Sequence, residues 1–122
     1  MIIKESAENY LEAIYMIDKR CGVVRSVDVA KELSVSKASV SVAMKSFREE
    51  GYITIDSDGN ITLKAKGRRI AERVYERHEI IAKVLMLLGV DEKTAYLDSC
   101  KIEHDISDKS FDAIKKYLTD VL

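Results

Sequence analysis

The chain lacks proline and tryptophan altogether, and has only five glycines in 122 residues. So few breakers and turn formers disfavour a sandwich or barrel, whose many short strands need many tight turns, and favour helices. No run of 18 apolar residues occurs, so no membrane-spanning helix is predicted. Met1-Ile2-Ile3-Lys4 is too short and too soon charged for an export signal. Cysteine is scarce as well: Cys21 and Cys100 lie far apart and read as reduced thiols in a cytoplasm. There are two histidines, His78 and His104. This length fits one domain, or two small lobes sharing a long helix.

What is present is unevenly charged. The net charge is −1, yet residues 19–48 carry seven Lys/Arg against Asp28 and Glu32. Residues 64–77 carry six against Glu72 and Glu76. The first 18 residues and the stretch from 78 onward are acidic. Any one basic segment also reads as a solvated helix face, but two in an otherwise acidic chain resemble a footprint for a polyanion.

The apolar spacing predicts a mainly α chain. Ser6–Lys19 forms a first helix with Ala7, Tyr10, Leu11, Ile14 and Ile17 as its stripe, closed by Cys21-Gly22. Ser26 is positioned to cap a short helix ending at Leu33, and Ser36 to cap a second over about Lys37–Glu50. Gly51 stops that helix. Tyr52–Ile55 and Ile61–Leu63 alternate around Asp56-Ser57-Asp58-Gly59-Asn60, which predicts a hairpin. A long helix follows over about Ala65–Leu88, with His78 on its inward stripe and Gly89 at its end. Asp91 caps a helix running to about Asp105, and Ser107 a last one with Phe111, Ile114, Leu118 and Val121 on its apolar face.

A short helix, a tight turn, a second helix and a hairpin within about 40 residues make a winged helix-turn-helix. The second helix offers amides and short hydroxyls that approach phosphates closely. The candidate DNA-contacting residues are Arg25, Ser36, Lys37, Ala38, Ser39, Ser41, Val42 and Lys45. The first two turns hold no Arg, Asn or Gln, so bases would be read by methyl contact and by DNA shape. The acidic tip, Ser57-Asp58, is not expected to grip phosphate. The alternative reading is a winged helix used only for protein contacts.

Cys100-Lys101-Ile102-Glu103-His104 places a thiol, a carboxylate and an imidazole at i, i+3 and i+4, one face of a helix. Sulfur, oxygen and nitrogen together suit a first-row transition metal, not calcium or magnesium. Taken alone, the pentapeptide also reads as a buried cysteine beside two surface polar residues.

The order of parts resembles the DtxR/MntR family of metal-dependent repressors of iron or manganese uptake. The residues that carry the resemblance are Glu8-Asn9-Tyr10-Leu11-Glu12-Ala13-Ile14-Tyr15, Leu63-Lys64-Ala65-Lys66-Gly67, Arg77-His78-Glu79, Leu88-Gly89-Val90-Asp91, and Cys100-x-x-Glu103-His104. It covers almost the whole chain. It implies a winged-helix DNA-binding domain over 1–73 and a helical metal-binding and dimerisation domain over 74–122, the short form without an SH3-like domain. It also implies a set of metal ligands. Glu12 matches a carboxylate of the manganese type, His78, Glu103 and His104 match both types, and Cys100 matches the iron type. Asn9 departs from both, standing where the manganese type has Asp and the iron type Met. Ala82 and Tyr96 stand where the iron type's ancillary site has Glu and His, which implies that this site is lost.

The implied protein is a cytoplasmic homodimer that is not an enzyme. It binds double-stranded operator DNA when loaded with Fe(II) or Mn(II), with Co(II), Ni(II) or Zn(II) as substitutes in vitro, and has no membrane partner. The thiolate tilts the metal toward iron. One rival is a zinc hydrolase using Cys100 and His104 with Glu103 as base, although no His-Glu-x-x-His motif supports it. Another is a metal-independent winged-helix regulator sensing an organic ligand.

Overall fold

A computed structural model describes residues 5–122; the expectation for Met1–Lys4 lies outside them. The element order is α1 (Glu5–Cys21), α2 (Ser26–Leu33), α3 (Lys37–Glu49), β1 (Ile53–Ile55), β2 (Ile61–Leu63), α4 (Ala65–Leu87), α5 (Glu92–Ile102) and α6 (Asp108–Val121). The chain divides into two compact units, the first ending at Glu72 and the second beginning at Arg73.

In the first unit α1, α2, α3 and the hairpin enclose one apolar core. Leu11, Ile14, Val29, Val40, Met44 and Ile53 are nearly or wholly buried in it. The stripes on α1 and α3 are those of the sequence, because i, i+3, i+4 spacing puts these side chains on one face. Ser34, with a positive φ of 54°, turns the chain between α2 and α3. Gly51 (φ 82°) ends α3. β1 and β2 pair antiparallel in the register Ile53↔Leu63, Thr54↔Thr62, Ile55↔Ile61. The hairpin is tied to the α1–α2 loop by Ile61 N–H donating to the Val24 carbonyl at 2.8 Å.

Gly67 lies where α4 leaves the hairpin. A Cβ there would overlap the backbone carbonyl of Tyr52, so no larger residue fits without a shift.

Two boundaries differ from the sequence reading. Arg25, not Ser26, is the N-cap of α2. The Asp28 carboxylate accepts from the Arg25 N–H at 3.0 Å, which lets the third helical residue close the end that a serine would otherwise cap. α5 stops at Ile102, so Glu103 is its C-cap and His104 lies in the following turn. Arg77 explains the stop: its Nη1 donates to the carbonyls of Glu103 (3.1 Å) and Ile106 (2.7 Å), fixing a non-helical path there.

The second unit contains the rest of α4 together with α5 and α6. Its buried apolar residues are Val74, Ile81, Ala82, Ala95, Phe111 and Leu118. Ser107 caps α6, accepting from Ser110 N–H. No helix among the described residues is long and apolar enough to cross a membrane.

Candidate metal centre and nucleic-acid face

The second unit buries Arg77, His78, Ser99 and Glu103. Unpartnered polar groups there would each cost free energy, so their pairing defines the site. Glu103 sits between the two imidazoles of the chain. Its Oε2 is 3.0 Å from His78 Nδ1, and its Oε1 is 3.3 Å from His104 Nε2. The second approach is not aligned as a hydrogen bond, and Oε1 has no hydrogen-bond partner among the described residues.

Three groups converge on His78 Nδ1. Besides Glu103 Oε2, these are Ser99 Oγ at 3.1 Å and Cys100 Sγ at 3.4 Å. Burial works against a charge on His78, but the Cys100 sulfur and the Glu103 carboxylate outweigh it by hydrogen bonding and attraction, and raise its pKa to about 10. The pocket around this nitrogen therefore favours positive charge, whether a proton or a metal ion, and the two compete for it.

Nitrogen, carboxylate oxygen and sulfur donors at one point suit a first-row divalent ion, so the residues fit such a metal. A cleft of about 570 Å³ lined by His78, Glu92, Lys93, Tyr96, Leu97 and Cys100 reaches this point from solvent.

Of the six expected ligands, the structure brings His78, Cys100, Glu103 and His104 together within the second unit. Glu12 and Asn9 lie on α1 in the first unit, Glu12 buried and Asn9 half-buried. Ala82 is fully buried, and Tyr96 donates its hydroxyl to Glu79 Oε2 at 3.0 Å.

Two residues at the site were not singled out as site residues from sequence. Ser99 could have been, since it precedes Glu103 by four positions on one helix face. Arg77 could have been too, as a cation next to His78 on an inward stripe. Its Nη2 pairs with Asp108 and its guanidinium lies 5.2 Å from the Phe111 ring centroid, so it fixes the turn that carries Glu103 and His104.

In the first unit, Ser36, Lys37, Ala38, Ser39, Ser41, Val42 and Lys45 are all exposed on α3 and its cap. Val42 is 72% exposed. Ser36 Oγ accepts from Ser39 N–H at 3.1 Å. Arg25 is exposed and donates from Nε to Asn60 Oδ1 at 3.3 Å, tying the start of α2 to the hairpin loop. Asp56 turns its carboxylate onto the amides of Asn60 and Asp58, and the Asn60 amide above all holds it below the usual carboxylate range.

Comparison with known proteins finds two family domains along the chain. Residues 3–60 match the iron dependent repressor N-terminal DNA binding domain. Residues 64–121 match the iron dependent repressor metal binding and dimerisation domain. The chain is 35% identical over 109 residues to the HTH-type transcriptional regulator MntR of Lysinibacillus sphaericus (strain C3-41), covering 89% of this chain and 78% of that one. It is equally identical to MntR of Bacillus subtilis (strain 168), covering 77% of it.

Among solved structures, the manganese regulator SloR superposes with a TM-score of 0.80 at 27% identity, over 98% of this chain and 55% of that one. The metal-dependent transcriptional regulator MtsR gives 0.84 at 29% identity, over 93% and 53%. The chain thus spans about half the length of these two solved structures.

A winged helix-turn-helix unit followed by a helical unit with a polar, metal-type interior defines a metal-dependent DNA-binding regulator. The chain belongs to the DtxR/MntR family of metal-dependent transcriptional repressors.

Proposed function

We propose that the chain, loaded with Fe(II) in preference to Mn(II), binds operator DNA as a homodimer and represses metal-uptake genes. The observation that carries this reading is the convergence of Glu103 and Cys100 on His78 Nδ1, with His104 on the far oxygen of Glu103. Glu12 and Asn9 would supply further oxygen donors from the DNA-binding unit. A bound divalent ion would supply concentrated positive charge that holds these donors in one arrangement. The sulfur of Cys100 favours iron over manganese, while the oxygens pull the other way.

The rest is done by the chain's own residues. Ser36 and the α3 amides approach phosphate, Lys37 and Lys45 attract it, and Val42 and Ala38 meet thymine methyls. Helix spacing in the dimer sets which half-sites are reached, since these lie about one DNA turn apart. Large apolar side chains left exposed in the second unit support self-association: Leu87, Leu88, Leu97, Tyr117 and Val121.

The test is operator binding titrated anaerobically with Fe(II) and with Mn(II). Half-maximal binding should need less free Fe(II) than Mn(II); the reverse order would remove the iron preference. Binding that is indifferent to a chelator would favour the regulator of an organic ligand.

A further inference from the structure

Ser99 is fully buried on α5, next to the exposed Cys100 and four residues before the Glu103 C-cap. Its proton is spent within the helix, because Oγ–H donates to the Tyr96 carbonyl at 3.0 Å. This back-bond to the preceding turn is common for serine in helices. The oxygen then has only lone pairs to offer His78 Nδ1, 3.1 Å away.

Glu103 Oε2 and Cys100 Sγ surround the same nitrogen at 3.0 and 3.4 Å. A ring nitrogen carries at most one proton, which satisfies one acceptor well. Two oxygens and a sulfur around it are better matched to a cation that takes several donors at once. The separations from His78 Nδ1 agree: atoms bound to one such cation at about 2.0–2.3 Å stand roughly 3 Å apart when they meet at right angles.

We propose that Ser99 Oγ is a further metal ligand of this site, a neutral oxygen placed beside the Cys100 sulfur. The proposal rests on the metal-site reading above. Its consequence is selectivity, since a hard neutral oxygen offsets the soft thiolate and keeps Mn(II) competitive.

The test uses the full chain and reads metal affinity directly, by competition with a fluorescent chelator. Ser99→Ala should weaken Mn(II) binding by roughly tenfold, the size of loss seen when a group supporting a metal site is removed. Its metal-free unfolding midpoint should stay near wild type, which separates ligand loss from misfolding. Cobalt(II) absorption gives the second reading. Cys100→Ser should lose the sulfur-to-cobalt charge-transfer band, and Cys100→Ser combined with Ser99→Cys should regain it.

Mn(II) binding by Ser99→Ala as tight as wild type or tighter overturns the proposal. So does a double variant without the band. If wild type itself binds no metal, the site reading fails and Ser99 with it. If wild type binds metal and only the Ser99 variants behave as wild type, Ser99 alone is removed.

Discussion

The first unit is closed by apolar side chains, with Leu11, Val29 and Val40 wholly excluded from solvent. The second buries fewer apolar residues and gives its interior to Arg77, His78, Ser99 and Glu103. A DNA-binding unit gains from close packing, which resists small displacements. An interior that must respond to an ion needs polar groups whose pairing changes on loading, and such interiors are costly when half satisfied. The stability of the second unit should therefore respond to metal more strongly than that of the first.

The largest stability effect should come from the packed unit. Leu11→Ala removes a wholly buried side chain and should cost about 2–5 kcal/mol, read as a lower unfolding midpoint that added metal restores less than it does for variants of the second unit. Equal recovery with metal would blur the contrast. Arg77→Ala should cost roughly 1.5–3 kcal/mol through its lost charged hydrogen bonds. Here excess metal should restore part of the midpoint, because binding to the folded state stabilises it by mass action. Arg77→Lys, which keeps one donor, should fall between.

Gly67→Ala should cost about 1–3 kcal/mol by crowding the Tyr52 carbonyl. A neutral result would show that the start of α4 yields more easily than the tight contact implies. The smallest effect on folding should be that of Lys37→Glu on exposed α3. It should leave the unfolding midpoint unchanged, weaken DNA binding to all sequences and flatten its dependence on log salt by about one unit or more. An unchanged affinity and salt slope would take this face out of the interface.

The two units also differ in how far they can be read from sequence. The first unit's stripes, turn glycines and Ser36 cap follow from local periodicity, and there the expected elements are the observed ones to within a residue or two. The α2 cap differs, because Asp28 reaches back to Arg25, and Ser6 lies inside α1 instead of capping it. In the second unit, local reasoning carried α5 on to Asp105. The helix stops at Ile102, because a side chain far away in sequence, Arg77, takes the carbonyls of Glu103 and Ile106. No local pattern encodes that.

Cys100 and Glu103 were legible as a pair on one helix, but Ser99 was not, since a lone serine carries no donor signature of its own. The position of Glu103 between two imidazoles, rather than beside one, required the fold.

The central claim is that the polar interior of the second unit controls DNA binding by the first. Its most direct test compares operator affinity of wild type and His104→Ala, each with Fe(II) or Mn(II) and again after a chelator. Wild type should tighten on metal addition and relax on chelation, while His104→Ala stays weak throughout. A His104→Ala protein that tightens like wild type would contradict the account.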